Sequence, residues 1–374
     1  MAKVLYVLHD SSYKDSNRSF VDYLIADVKK DATVVFPISD DDELERVLKE
    51  RKIPFARFAI HADYYRKFSI KLWIKQKFVY DKFLEAEINQ IDELVGHEFD
   101  IVHSNSLTTI VGALFAEHYN IPHVWHAREF LKEDFGITYF KPDLVFYKLM
   151  PESNMIFTTK AIQEKFGKYC QRKQTVIFDG VYNGALPKLL HSGTNLMIAG
   201  NLTAGKGQTE AIFAVNELIK EHYDIKLHIF GEGEDEAKLK KLVKELGIEK
   251  KVVFCGFTKD LFEHRCLMDI ALVCSKNEAL GREIIESMYA ENFVIGANTA
   301  GTKELIGENN LHGLLYQQGE YKDLISKIRS ILEKTIDIKP IIEAAKLFAF
   351  AKCSPDVCDR EINEFYSSVL RVKK

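Results

Sequence analysis

The sequence lacks the features that would place it in several common classes of protein. Its six cysteines include no C-x-x-C pair, and three lie in or beside apolar runs, so buried, reduced thiols of a cytosolic protein are expected rather than disulfides or a zinc site. No apolar stretch reaches the length of a membrane-spanning helix, which leaves peripheral contact as the expected form of membrane attachment. The formal net charge of -4 gives no indication of a nucleic-acid partner.

The pattern that is present is an alternation of strands and helices that occurs twice. A chain of 374 residues, 47% of them hydrophobic, is long enough for two domains that each bury a core. Met1 to Asp10 hold a short apolar run without a cleavage-site pattern, which predicts a first strand rather than a signal peptide. The glycines and the proline between Tyr182 and Gly193 indicate a linker. The sequence therefore predicts an α/β protein with two doubly wound parallel sheets.

A long segment of the first domain, from Asp63 to Gly96, is predicted to be one helix because it has no glycine or proline before its end. Between Arg66 and Lys82 it carries six basic residues and one acidic residue, with an apolar stripe between the basic rows. Such a face can meet an anionic, partly apolar membrane surface. A solvated helix whose stripe contacts another part of the protein is the equally weighted alternative.

One stretch of the second domain combines groups that suit a charged ligand. The apolar run Asp269 to Cys274 is typical of a buried parallel strand, and Gly281 separates the loop after it from a helix that begins at Arg282. Free N–H groups at the start of that helix favour an anion. Glu278 in the loop and Glu286 in the helix can accept hydrogen bonds from the hydroxyl groups of a sugar or a ribose.

Two other loops are predicted to follow parallel strands of the same sheet, and all three can therefore meet at one ligand. One runs from Gly200 to Gly207 and carries Lys206, whose charge suits a phosphate. Gln208 follows Gly207, so the loop does not have the order of a P-loop for ATP. The other loop runs from Asn298 to Glu304.

The residues from about Asn195 to Tyr316 resemble the donor-binding domain of retaining GT-B glycosyltransferases, specifically glycosyltransferase family 4. The resemblance is carried by Glu278 and Glu286 with Gly281 between them and Met288 after them, by Phe230-Gly231-Glu232-Gly233, and by Val253-Phe254-Cys255-Gly256. In the first domain it is looser and covers His103-Ser104-Asn105-Ser106, Trp125-His126-Ala127-Arg128-Glu129 and Phe178-Asp179-Gly180-Val181.

This resemblance implies two Rossmann-like domains that face each other across a cleft. The acceptor side would be residues 1–184 with a helix at 355–374 packing back on it, and the nucleotide-sugar domain would be residues 185–354. Glu278 would contact the donor sugar, Glu286 the ribose and Lys206 the diphosphate. The other donor-binding positions would be Gly200, Asn201, Leu280, Gly281 and Arg282. His126 would line the reacting centre, so Glu278, His126 and Lys206 are the expected catalytic residues.

The implied reaction is transfer with retention from a nucleotide-diphosphate sugar to a glycan or lipid-linked acceptor, as in polysaccharide biosynthesis at the cytoplasmic face of the membrane. No Asp-x-Asp run lies at a predicted strand end of the second domain, so no metal is expected, and no cofactor is expected beyond the donor substrate. Asn201 stands where the family usually has arginine, and Asp10 to Tyr13 replace a Gly-Gly loop. A nucleotide-sugar epimerase of the same fold and a non-catalytic partner subunit are the alternatives.

Overall fold

The computed structural model describes residues 2–12, 20–21, 31–61, 63–65, 70–259 and 261–371, with only the backbone at 70–79 and at Phe135. The chain forms two compact units. The first comprises Met1–Gly180 with Pro355–Lys374, and the second comprises Val181–Ser354. The chain passes from the first unit to the second after Gly180, a few residues before the predicted boundary at residue 184.

The first unit contains a seven-stranded parallel sheet in the order β3-β2-β1-β5-β6-β8-β9. Its strands are β1 (Val4–Val7), β2 (Ala32–Pro37), β3 (Phe55–Phe58), β5 (Ile101–Ser104), β6 (His123–Ala127), β8 (Asn154–Phe157) and β9 (Gln174–Val176). Its longer helices are α1 (Glu43–Glu50), α2 (Ile70–Val95), α3 (Val111–Tyr119), α4 (Lys132–Phe135) and α5 (Lys160–Phe166). A π-helical turn, Val145–Leu149, lies between two short helical segments, Pro142–Leu144 and Met150–Glu152. The central strands β1, β5, β6 and β8 are buried along their whole length, which explains why they are apolar runs in the sequence.

The start of the predicted helix at Asp63 is wrong. Strand β4 (Tyr64–Tyr65) instead pairs in the antiparallel sense with β7 (Thr138–Tyr139), and the helix is described from Ile70. The buried carboxylate of Asp63 accepts hydrogen bonds from Tyr80 Oη (2.8 Å) and from the backbone N–H of Ile110 (3.0 Å). Residues 66–69 and the side chains of 70–79 lie outside the described part, so membrane contact through Arg66 to Lys82 stays a prediction.

The second unit contains a six-stranded parallel sheet in the order β12-β11-β10-β13-β14-β15. Its strands are β10 (Thr194–Ala199), β11 (Ile225–Phe230), β12 (Val252–Gly256), β13 (Ile270–Val273), β14 (Phe293–Ala297) and β15 (Leu314–Tyr316). Its helices are α6 (Gln208–Lys220), α7 (Glu236–Glu245), α8 (Phe262–Arg265), α9 (Arg282–Tyr289), α10 (Ala300–Ile306), α11 (Tyr321–Leu332) and α12 (Lys339–Cys353). Two doubly wound parallel sheets are thereby confirmed.

A final helix, α13 (Pro355–Leu370), belongs to the first unit although it follows the second in sequence. Its buried residues Ile362, Phe365, Tyr366 and Val369 join the core that contains strands β1 and β2. Tyr366 Oη lies 2.5 Å from His103 Nδ1, and Lys173 Nζ donates to the carbonyl of Ser368 at 2.7 Å. Of the helices described, none combines the length and the hydropathy needed to cross a bilayer.

Candidate functional site

The loops at the carboxyl ends of strands β10, β13 and β14 are neighbours in the second unit. The backbone N–H of Lys276 donates to the carbonyl of Gly205 at 2.9 Å, and that of Gly301 donates to the carbonyl of Glu278 at 2.8 Å. These two bonds join the three loops that the sequence brings to one edge of the sheet. Burial on both faces fixes the strands, so the loops between them and the next helices have little freedom to separate.

Two glycines allow this close approach. Gly207, with φ of 73°, comes immediately before α6, and a Cβ there would lie 2.2 Å from the carbonyl oxygen of Cys274. Gly281, with φ of 84°, comes immediately before α9, and a Cβ there would lie 2.7 Å from Ile284 Cδ1. Both positions have a left-handed backbone that favours glycine. At Gly207 a Cβ would also require the backbone of Cys274 to shift, whereas at Gly281 it would require only the side chain of Ile284 to move.

Lys206 and Glu278 form an ion pair across two of these loops. Lys206 Nζ lies 2.7 Å from Glu278 Oε2, and the side chains are 28% and 13% exposed. Asn201 lies in the same loop as Lys206 but is exposed, and its carbonyl accepts a hydrogen bond from Gln208 Nε2 at 3.1 Å. The first loop therefore presents a cation at Lys206 and neutral groups at Asn201.

Glu286 is held by two arginines. Arg282 Nε donates to its Oε1 and Arg265 Nη2 to its Oε2, each at 3.1 Å. Burial alone would raise the pKa of Glu286, but the positive charges of Arg265 and Arg282 outweigh it, and the pKa lies below its ordinary value. Glu286 is thus a fixed carboxylate at neutral pH, with both oxygens oriented by the fold.

Arg265 is a site residue that sequence reasoning missed. Its side chain is fully buried, and besides Glu286 it contacts Ser287, whose Oγ lies 2.5 Å from Nη1. The only local signal is a charged residue directly before the apolar residues Cys266 to Met268. No spacing in the sequence connects it with Glu286, because the two are brought together only by the packing of α8 on α9.

Glu283, in the first turn of α9, has a pKa above its ordinary value. Burial, followed by the negative charge of Glu278, raises its pKa to about 7. A group with a pKa of about 7 carries about half a negative charge at neutral pH, so Glu283 adds less negative charge beside Glu278 and Glu286 than a fully ionised carboxylate would. Among the described residues, no cluster of three His, Cys, Asp or Glu side chains is arranged to hold a metal ion.

His126 lies in the first unit, at the carboxyl end of strand β6, and is fully buried. Its Nδ1 lies 3.2 Å from Arg128 Nη2, and its Nε2 lies 3.9 Å from Asp179 Oδ1. Arg128 also forms an ion pair with Asp179. The sequence motifs named all three residues, but only the structure shows them as one network. The structure therefore groups Lys206, Glu278 and Glu286 in one unit and His126 in the other.

The sequence-family match described first lies within the second unit. Residues 189–348 match the sequence profile of the family described as glycosyl transferases group 1. The poly(ribitol-phosphate) alpha-N-acetylglucosaminyltransferase of Staphylococcus aureus is 28% identical over 131 residues, 34% of this chain and 26% of that protein. The N-acetylgalactosamine-N,N'-diacetylbacillosaminyl-diphospho-undecaprenol 4-alpha-N-acetylgalactosaminyltransferase of Campylobacter jejuni is 28% identical over 139 residues, 37% of this chain and 37% of that protein. The alignments thus cover much less than two thirds of either relative.

The whole chain has the fold of a solved structure. The crystal structure of Anabaena Alr3699/HepE in complex with UDP superposes with a TM-score of 0.80 at 20% identity, over 98% of this chain and 100% of that one. The fold is that of the GT-B glycosyltransferases. The similarity to the glycosyl transferases group 1 family covers residues 189–348, which is somewhat less than half of the chain.

Proposed function

We propose that this chain is a retaining glycosyltransferase that moves a sugar from a nucleotide-diphosphate sugar to a glycan or lipid-linked acceptor without a metal ion. The observation that carries the proposal is the ion pair of Lys206 with Glu278, set between the two glycine-supported helix starts at Gly207 and Gly281. A cation, a carboxylate and the backbone N–H groups of a helix start in one place fit a sugar diphosphate better than they fit any single neutral ligand.

Each group has a chemical task in this proposal. Lys206 and the N–H groups at Leu280, Gly281 and Arg282 would stabilise the charge that develops on the leaving diphosphate. Fixed positive charge of this kind does what a divalent cation does elsewhere. Glu278 would accept hydrogen bonds from hydroxyls of the transferred sugar, and the oriented carboxylate of Glu286 would accept them from the ribose.

The nature of the acceptor is proposed from relatives. The Campylobacter relative is named for a diphospho-undecaprenol acceptor and the Staphylococcus relative for poly(ribitol-phosphate), so a lipid-linked or surface-glycan acceptor is the first class to test here. Peripheral attachment at the inner face of the cell membrane, through Arg66 to Lys82, is part of the same proposal. Flotation of the purified protein with vesicles that contain anionic lipid at low salt tests it. If the protein stays unbound under those conditions, only the membrane part of the proposal is refuted.

The decisive experiment has two stages. A thermal-shift screen of UDP, GDP, CDP and their sugars comes first, because a ligand at 100 times its Kd stabilises by about 2.7 kcal/mol. UDP is the first candidate, since the Anabaena structure was solved with it. Mass spectrometry of the incubated nucleotide sugar then follows its fate. Transfer or slow hydrolysis of the sugar supports the proposal, isomerisation supports the epimerase, and full activity of Glu278→Gln in a complex with a second chain supports the non-catalytic subunit.

A further inference from the structure

Arg265 is the last residue of the short helix α8, and its side chain is fully buried in the second unit. Its backbone carbonyl accepts hydrogen bonds from Asn292 Nδ2 at 3.0 Å and from Lys188 Nζ at 3.4 Å. Its guanidinium donates to Ser287 Oγ through Nη1 at 2.5 Å and to Glu286 Oε2 through Nη2 at 3.1 Å. The residue is therefore held both at its backbone and at its planar end group, and that end group has one orientation.

Packing alone does not explain a buried arginine at this position. Its Nε atom has no hydrogen-bond partner within the described part of the chain, and Nη1 also lies 3.5 Å from a weak acceptor, Met197 Sδ. A buried ion pair is commonly no more stable than well-packed apolar side chains of similar volume, because both charges lose their hydration. Folded proteins depart from such rules mainly at functional sites. The role of Arg265 therefore lies in what it does to Glu286.

The two oxygens of Glu286 are each held by a different arginine. Arg282 donates to Oε1 from the same helix, four positions earlier, so it moves together with Glu286. Arg265 donates to Oε2 from another helix, so it fixes the carboxylate relative to a second element of the unit. A carboxylate has about four lone-pair positions, and two hydrogen bonds leave capacity on both oxygens. The two oxygens can therefore still accept hydrogen bonds from two neighbouring hydroxyl groups.

Arg265 also affects the charge of Glu286. Burial raises the pKa of this carboxyl, and the positive charges of Arg265 and Arg282 bring it below its ordinary value. The other carboxyls of the candidate site are Glu283 on the same helix and Glu278 in the loop before it. Helices α10 and α12 also pack on α9, and their ion-paired lysines bind other carboxylates, in the pairs Lys303–Glu308 and Lys346–Glu291. Without Arg265, one positive charge would oppose burial instead of two, and the pKa of Glu286 would rise.

We propose that Arg265 is a positioning residue that holds the carboxylate of Glu286 ready for the two hydroxyl groups of a ribose. This inference rests on the proposed glycosyltransferase function and extends it to a residue that acts through Glu286 rather than on the ligand. All the residues that it uses belong to the second unit. Arg265 fixes the direction of the carboxylate, and its charge keeps Glu286 a strong acceptor of hydrogen bonds when the pH falls.

The first test follows the binding of a nucleotide sugar by Arg265→Met over a range of pH. UDP-glucose is the probe, because its diphosphate has no terminal phosphate that titrates near pH 6. Variant and reference chain both carry Glu283→Gln, so that this carboxyl, with its pKa of about 7, does not titrate in the same range. We expect the ratio of the two Kd values to rise from about threefold at pH 8 to about thirtyfold at pH 5, because protonated Glu286 loses charge-assisted hydrogen bonds to the ribose. A ratio that is the same at every pH overturns the proposal.

The second test is a double-mutant cycle with Glu286. In a chain that already carries Glu286→Gln, we expect Arg265→Met to weaken binding of UDP-glucose by less than about twofold, because the interaction that it removes is already absent. A purely structural role would give the same loss in both backgrounds and would refute the proposal. Arg329→Met is the matched control, since this arginine of the same unit pairs with Glu221 at the surface and should leave the Kd unchanged. If Arg265→Met does not fold, Arg265→Gln, which removes the charge and retains an amide donor, replaces it in both tests.

The third test needs no ligand. Carbon-13 NMR of labelled glutamate, assigned by the signal that is missing in Glu286→Gln, reports the ionisation of Glu286. We expect no titration of this group between pH 5 and 8 in the wild type and a midpoint within that range in Arg265→Met. The same midpoint in both chains refutes the inference. A wild-type chain that binds no nucleotide sugar refutes only the proposed function, since the NMR titration still shows whether Arg265 keeps Glu286 ionised.

Discussion

Lys206 and Glu278 are 72 positions apart in the chain, yet Lys206 Nζ lies 2.7 Å from Glu278 Oε2. The pair joins the loop after strand β10 to the loop after strand β13, and these two strands are hydrogen-bonded neighbours. A donor diphosphate at Lys206 would compete with Glu278 for the same cation. In the proposed function, binding of the donor would exchange one partner of Lys206 for another and would make Glu278 available to the sugar.

Substitution of Lys206 tests whether its positive charge stabilises the leaving diphosphate. We expect Lys206→Met to lower kcat/KM by about a hundredfold to a thousandfold, because one fixed stabiliser of the leaving charge is removed. Lys206→Arg is the matched control, since it retains the charge, and should lose much less. Steady-state kinetics with the donor found in the screen measures both. The role proposed for Lys206 is refuted if the methionine variant keeps wild-type kcat/KM.

Substitutions of Glu278 and of Glu286 are expected to impair different steps, transfer in the first case and nucleotide binding in the second. Glu286→Gln should weaken binding of the free nucleoside diphosphate, because a neutral amide is a poorer acceptor for ribose hydroxyls and leaves Arg265 and Arg282 without their carboxylate. Glu278→Gln should bind the nucleoside diphosphate about as well as the wild type and lose transfer. Isothermal titration and turnover assays separate the two effects.

Substitution of a third carboxyl group supplies the control for Glu278→Gln and Glu286→Gln. Glu283 lies in the first turn of α9, between them in the sequence, and its raised pKa of about 7 means that Glu283→Gln removes only about half a negative charge at neutral pH. We expect it to leave nucleotide affinity within about threefold, well inside the effect of losing one charge-assisted hydrogen bond. A loss in Glu283→Gln as large as in Glu286→Gln would show that the measurements report helix stability and not ligand contact.

The loop before α6 should tolerate alanine at one glycine and not at the next. At Gly207 the left-handed backbone and the carbonyl of Cys274, 2.2 Å from the position of a Cβ, leave no room. At Gly205, the matched control, nothing lies within 4 Å. Gly207→Ala should therefore lower the melting temperature and abolish the nucleotide-induced shift, whereas Gly205→Ala should do neither. Differential scanning fluorimetry of the two variants decides it.

Glu87 makes stability depend on pH in the first unit. It is 1% exposed, its Oε1 accepts hydrogen bonds from the backbone N–H and the Nδ1 of His61, and burial followed by the charge of Asp63 raises its pKa to about 8. The unfolded chain ionises this carboxyl near 4.5, so it binds fewer protons than the folded chain between pH 4.5 and 8. The free energy of unfolding therefore falls as the pH rises through that window.

Glu87→Gln keeps the acceptor oxygen and removes the titration. We expect its melting temperature to exceed that of the wild type by several degrees at pH 8.5 and to match it near pH 4.5. Glu85→Gln, an exposed position on the same helix, should show no such trend. Thermal melts at four pH values measure the difference. An equal shift at all pH values would contradict the assignment to Glu87.

The sequence predicts this fold well where burial leaves a local pattern. Strand β13, Ile270–Val273, lies inside the apolar run Asp269 to Cys274 that predicts it, because the strand is buried along its whole length. Strand β4, Tyr64–Tyr65, is not predicted, since its only cause is pairing with Thr138–Tyr139 far along the chain. The candidate site also has features that the sequence predicts and features that it does not. Loops at strand ends can be read from the sequence, whereas the contacts of Arg265 with Glu286 and of Arg128 with Asp179 depend on packing alone.

Helix α13 determines when the first unit can be completed during synthesis. Its Tyr366 contacts His103 on strand β5, and its apolar side chains close the core over strands β1 and β2. The ribosome has to make the entire second unit before this helix exists, so the first sheet waits with part of its core uncovered for about 170 residues of elongation, about 10 to 30 seconds at bacterial or eukaryotic rates. The second unit is contiguous and can fold during that interval. The second unit is thus the first part of the molecule able to reach its native state.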